Sequence, residues 1–194
     1  MPTTKGERFV FALITVLITV HAYVFYSIFI CNGESLVEYA SVVGARSVLT
    51  VPQAIEVLGG ISVFGQIIPV WGIVLIEFCC AMTLELTMGS PCSVKLALKV
   101  FDPRTTHPVL VETAIICATV CLMCPAMSLI AAFLYFPYGT VPFTAVNLLV
   151  NWAELICVNL PFAFFTQLFF IQPFVRTVFS RLVRRRGAAT VEAA

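Results

Sequence analysis

The sequence predicts an all-α integral membrane protein: a four-helix bundle made of two parallel two-helix repeats, with both termini on the cytoplasmic side. Three observations carry this. Of the 194 residues, 60% are hydrophobic and 11% charged, and the mean hydropathy is +1.02; a soluble domain is about half apolar and about a quarter charged. Four segments reach the roughly 20 apolar residues that cross a bilayer as a helix. Ten of the 11 basic residues fall at one end of those segments. The composition excludes a soluble enzyme, a nucleic-acid binder and a disordered chain. The net charge of +1 names no partner beyond the lipid bilayer.

The first span, 9–31, contains no charged residue. Lys5 and Arg8 precede it, but its apolar run is about twice the length of a signal-peptide core, so it reads as a retained span. The second, 66–88, carries Glu77 and Glu85. The third, 109–136, carries Glu112 near its start. The fourth, 143–171, carries Glu154. Four isolated spans cannot close a lipid barrel, so each is read as a helix that satisfies its own backbone.

Lys5, Arg8, Lys95, Lys99, Arg104, Arg176, Arg181 and Arg184 to Arg186 lie on one side of the spans and only Arg46 on the other. By the positive-inside rule the rich side is cytoplasmic. Trp71, Trp152, Tyr135 and Tyr138 fall near the opposite boundary, where interfacial aromatics belong. Residues 1–100 and 101–186 read as two copies of one unit. Trp71 is followed by Pro91 and Trp152 by Pro173, and a basic amphipathic stretch succeeds each proline. Both copies begin inside, which makes the repeat parallel. Residues 187–194 read as a flexible tail.

The outer insert, 32–60, is long for a bare loop. Thr50, Pro52 and Gln53 predict a capped short helix over 51–58, ended by Gly59 and Gly60. Such an insert acts as a lid over a pathway or, with nothing catalytic in it, as a packing element.

Several stretches resemble a family. They are Met1-Pro2-x-Thr4-Lys5; Val120-Cys121-Leu122-Met123-Cys124-Pro125-Ala126-Met127-Ser128-Leu129-Ile130-Ala131; Asn159-Leu160-Pro161-Phe162-Ala163; Gln167-Leu168-Phe169-Phe170; and Pro173-Phe174-Val175-Arg176. Together they resemble the small bacterial integral membrane proteins of the domain of unknown function 2798 family, in its tandem two-copy form. The resemblance covers about 1–31 and 69–182 and leaves residues 34–58 outside it. It implies a multi-pass protein of the bacterial cytoplasmic membrane, and it implies no activity.

The candidate site lies near mid-membrane. His21 stands 12 residues into its span, Glu77 11 into the second and Glu154 11 into the fourth. A charge at that depth costs at least about 2.5–3.5 kcal/mol, so such groups face protein or water and mark pathways by default. A proton or cation relay is the functional reading, and a hydrogen-bonded cluster joining four helices is the structural one. Glu85, Asn147, Asn151, Asn159 and Gln167 form a secondary polar lining, with Lys95, Lys99 or Arg104 as expected partners of Glu85 and Glu112. Pro69, Pro125 and Pro161 interrupt their spans and permit kinks.

Eight cysteines make no disulfide framework, since Cys31 alone lies near the outside. Cys117, Cys121 and Cys124 share a helical face. They read as packing groups in preference to a soft-metal site, and no metal is assigned. No nucleotide loop, nucleophile elbow or metalloprotease motif occurs, so neither an enzyme nor a cofactor is expected. The expectation is a small proton- or cation-coupled carrier. Four helices alone enclose little volume, which favours a homodimer. A non-transporting accessory protein of a membrane complex is the alternative.

Overall fold

The computed structural model describes residues 4–44, 47–138 and 140–192, with all side chains in them except those of Lys5 and residues 183–192. The chain is mostly helical, and Gly6–Cys31, Val70–Val100, Pro108–Leu134 and Ala145–Leu182 are long and apolar enough to cross a membrane. They run alternately up and down, so the starts of the first and third spans and the ends of the second and fourth lie at one end of the bundle, the terminal end. The connections after the first and third spans lie at the other, the hairpin end.

Helix α1 (Lys5–Phe25) opens with a reciprocal cap. Thr4 Oγ1 accepts from the Glu7 amide, and Glu7 Oε2 accepts from the Thr4 amide, each at 3.2 Å, which satisfies two orphan donors of the first turn. Val16, Val20, Val24 and Ile28 recur every four residues and are all buried. They form one stripe that packs with Val63, Ile73, Ala81 and Met82. Much of the remaining apolar surface is exposed, Leu17, Phe25, Trp71, Leu75, Val146 and Phe165 included, as a lipid-facing bundle requires.

The insert holds more structure than the sequence predicts. After a π-helical turn at Tyr26–Cys31 come α2 (Gly33–Val43) and α3 (Val51–Leu58), joined through the fully buried Ala40 and Ala54. The second helix has the predicted bounds, and Gly59 ends it in the left-handed conformation at φ 76°. The predicted capping box is not made, because Gln53 Oε1 accepts from the Leu49 amide. A β-hairpin follows, β1 (Ile61–Val63) and β2 (Gln66–Ile68), antiparallel with Val63 opposite Gln66. Its two-residue turn holds Phe64 at φ 51° and Gly65 at φ 76°, the double left-handed geometry that matches strand twist. The Phe64 amide donates to the Leu134 carbonyl at 3.0 Å, which ties the insert to the third span. The fold is therefore helical with one small hairpin, and the second span begins at Val70, four residues later than predicted.

Helix α4 (Val70–Leu84) passes through a π-helical turn, Glu85–Gly89, into α5 (Ser90–Val100). After α6 (Pro108–Leu134), α7 (Ala145–Thr166) passes through a second such turn, Gln167–Ile171, into α8 (Gln172–Glu192). Each turn begins six residues before a proline, Pro91 or Pro173. Proline offers no N–H and crowds the carbonyl four residues back; a widened turn just upstream accommodates it. Helix α1 pairs with α4, and α6 with α7. The continuations cross over, α5 packing on α6 and α8 on α1. The two halves thus share one bundle. The tail predicted from Gly187 continues as helix to Glu192, and Arg46, Ala193 and Ala194 lie outside the described residues.

Candidate functional site: a carboxylate-lined cavity

A cavity of about 2020 Å³ runs between the four spans. Glu7, Arg8, Glu112 and Arg176 lie at its terminal end. Asn32, Ser62, Tyr138 and Thr140 lie at the hairpin end, where the insert contributes to its wall. The volume is lined by residues of a single chain.

Glu77, Glu85 and Glu154 all line this cavity. With α4 starting at Val70, Glu77 lies seven residues in, about 10 Å along the helix axis, and Glu85 about 22 Å in. Glu77 is therefore nearer the hairpin end, and Glu85 nearer the terminal end. The Tyr135 hydroxyl donates to Glu77 Oε1 at 2.6 Å. Glu85 and Glu154 make no hydrogen bond or ion pair among the described residues, and Glu154 is exposed. No bond joins Glu77 to Glu154. Gly89 leaves room for the Glu85 carboxylate: a Cβ there would lie 2.5 Å from Glu85 Oε2 and 2.9 Å from Met123 Sδ.

His21 stands apart. It is exposed, lies off the cavity, and its Nδ1 is 2.7 Å from the Leu17 carbonyl of its own helix. Asn147 also lies off the cavity. Its amide caps α7 on Thr144, and its side chain donates to the Pro142 carbonyl at 2.9 Å. The rest of the predicted lining faces inward. Asn151 donates to the Ala132 carbonyl at 3.4 Å, Asn159 to Ser128 Oγ at 3.4 Å and Gln167 to Thr19 Oγ1 at 2.8 Å. These bonds explain how a polar stripe is tolerated in an apolar span: each amide is held by a neighbouring helix.

Four contributors escaped sequence reasoning. Tyr135 reads as an interfacial aromatic, yet its hydroxyl turns inward to Glu77. Trp152 reads the same way, yet its indole N–H donates to the Pro125 carbonyl at 2.9 Å inside the bundle. Tyr23 and Tyr26 donate to the carbonyls of Asn159 and Val158 at 3.3 and 3.4 Å, just ahead of Pro161. Phe162 stacks on Tyr26 with centroids 3.8 Å apart. The stretch of α7 around Pro161 is thereby held by the first span. The signal available for these was a tyrosine on a span facing a proline-interrupted one. Finally, Glu112 pairs with Arg176, replacing the expected Lys95, Lys99 or Arg104. It joins α6 to α8 at the cavity's terminal end.

The three cysteines of α6 do not share one environment. Cys124 is buried on the cavity wall, 3.9 Å from the Tyr23 hydroxyl, whereas Cys121 is exposed and neither it nor Cys117 lines the cavity. Among the described residues no three His, Cys, Asp or Glu side chains are grouped to hold a metal ion. No family model matches the chain, and neither a curated protein nor a solved structure does.

Proposed function

We propose that the protein is a small carrier of the bacterial cytoplasmic membrane that moves a solute or ion coupled to protons or another cation through this cavity. One observation carries the reading: the cavity wall holds Glu77, Glu85 and Glu154 along its length, while among the described residues its basic groups, Arg8 and Arg176, stand at the terminal end. Carboxylates at membrane depth are costly. A wall that keeps three of them facing an open volume is suited to taking up protons or cations from either end. His21, off the cavity, has no part in the relay.

A parallel duplication is consistent with the crossed packing of α5 on α6 and α8 on α1, and with the matching π turns ahead of Pro91 and Pro173. The charge asymmetry supports a cytoplasmic position for both termini. The accessory-protein alternative draws on the Glu77–Tyr135 bond, which serves equally as a joint between α4 and α6. Proton flux in proteoliposomes under an imposed pH gradient separates the two. The carrier reading requires flux that Glu77→Gln and Glu154→Gln abolish while both variants insert and stay folded. Absence of flux in the unaltered protein, or flux unchanged in both variants, sinks it.

A further inference from the structure

We infer that the cargo is an amphipathic organic monocation, a single positive charge carried on a bulky apolar body; this rests on the carrier reading above. Charge, size and the chemistry of the wall each narrow the class.

The sign comes from the wall. Away from its terminal end it holds three carboxylates and, among the described residues, no lysine or arginine; at the terminal end, where Glu7 and Arg8 also lie, Arg176 is already paired with Glu112. An anion entering would meet uncompensated negative charge in a poorly screened volume. Glu85 and Glu154 have no partner in the protein among the described residues, so their counter-charge is left to a proton or to the cargo.

The size comes from the volume. Pockets for small organic molecules occupy about 300–1,000 Å³, and this cavity, at about 2020 Å³, accommodates such a molecule with water. A bare metal ion would need a cage of ligands a few ångströms across. Among the described residues no such grouping exists.

The apolar body comes from what lies between the carboxylates. Val20, Val24, Ile73, Met123, Met127 and Leu155 line the same space. The two methionines supply adaptable apolar surface, and Tyr23 adds an aromatic ring able to face a cation. A small hydrated ion would leave this wall wetted. A cation with an apolar body covers it while its charge meets a carboxylate. Loading exchanges one cation for one proton, so charge is conserved at the site and no bond is made or broken in the cargo.

Tetraphenylphosphonium and tetraphenylborate test the class, because they match in shape and differ in sign. Equilibrium binding of each is measured on the full-length detergent-solubilised protein, and proton flux is measured separately in proteoliposomes. The phosphonium is expected to bind at least about tenfold tighter than the borate, a margin of roughly 1.4 kcal/mol. Its binding should release protons into a weakly buffered solution and weaken as the pH falls, since protonation removes the negative wall. Glu154→Gln and Glu85→Gln should each weaken it about tenfold. The pH dependence in the unaltered protein keeps the test open should either variant fail to fold. Equal binding of both probes overturns the inference by showing an apolar cavity indifferent to charge. Proton flux without phosphonium binding overturns the cargo class and leaves the carrier reading intact. Phosphonium binding without any flux upholds the site and removes the carrier. Loss of both removes both.

Discussion

The Tyr135 hydroxyl lies 2.6 Å from Glu77 Oε1, reaching from the hairpin end of α6 into the wall of α4. A residue at the edge of the membrane thereby holds a carboxylate within it. Tyr135→Phe removes the donor and nothing else. The carboxylate then loses its partner in the protein, and such a hydrogen bond contributes about 0.5–1.5 kcal/mol net. The variant should lose that much stability in detergent. Glu77→Leu should cost more than Glu77→Gln, which keeps an acceptor for the hydroxyl. A double-mutant cycle between Tyr135→Phe and Glu77→Gln should show coupling well above zero; additive effects would mean that the bond contributes nothing.

Gly89 carries a prediction of a different kind. Its backbone is ordinary right-handed helix, φ −55°, so the requirement is space and not conformation. A methyl group there would meet Glu85 Oε2 at 2.5 Å and Met123 Sδ at 2.9 Å. Gly89→Ala should swing the Glu85 carboxylate away and lower proton flux. Alanine favours helix over glycine by about 1 kcal/mol, so stability should change by less than flux does. Gly6→Ala, where a Cβ meets nothing within 4 Å, is the control and should leave flux unchanged.

Much of the bundle was legible because a membrane span announces itself by length and hydropathy alone, and the short helix after Thr50 by its proline and terminal glycines. The hairpin was not. Gln66-Ile67-Ile68 is apolar enough to join the run that follows, and only Pro69, as a helix N-cap in extended conformation, marks the break. Of the candidate site, the carboxylates of α4 and α7 were legible because a charge in an apolar run is rare. His21 was placed by depth without angle: the buried stripe of α1 is Val16, Val20, Val24 and Ile28, and His21 lies off it and off the cavity. Partners such as Tyr135 were out of reach, since pairing 58 residues apart depends on how the helices cross.

The orientation admits a direct measurement. Positive charge gathers at the terminal end of the spans, and translocating that many arginines and lysines across the membrane is disfavoured. A reporter at position 45 should therefore sit outside, and one fused after Gly187 inside. Moving charge tests the cause: removing Arg184, Arg185 and Arg186 while adding lysines beside Arg46 should produce a mixed orientation. A reporter at position 45 found inside in the unaltered protein would reverse the assignment of both ends.

The ion pair between Glu112 and Arg176 lies at the terminal end of the cavity, and a native thiol can report on whether it guards that end. Cys124 is buried on the cavity wall, while Cys31 lies on the wall toward the hairpin end. In a background that keeps only Cys124, a charged membrane-impermeant maleimide must travel along the cavity to react. Arg176 links α8 to α6 at that end, and at 39% and 22% side-chain exposure the pair is only partly sheltered. Such a pair adds about 0.2–1 kcal/mol to stability, so its rupture should open the entrance without unfolding the bundle. Arg176→Gln and Glu112→Gln should each raise the labelling rate of Cys124 from the terminal end about tenfold, with little change in melting temperature. The exchanged pair, Glu112→Arg with Arg176→Glu, should return the rate toward that of the parent, because the attraction is restored with its ends reversed. A background keeping only Cys31, labelled from the hairpin side, should be indifferent to all three. If labelling of Cys124 is unchanged when either charge is removed, the pair does not guard the cavity, and if Cys31 accelerates with it the effect is a general loosening of the bundle.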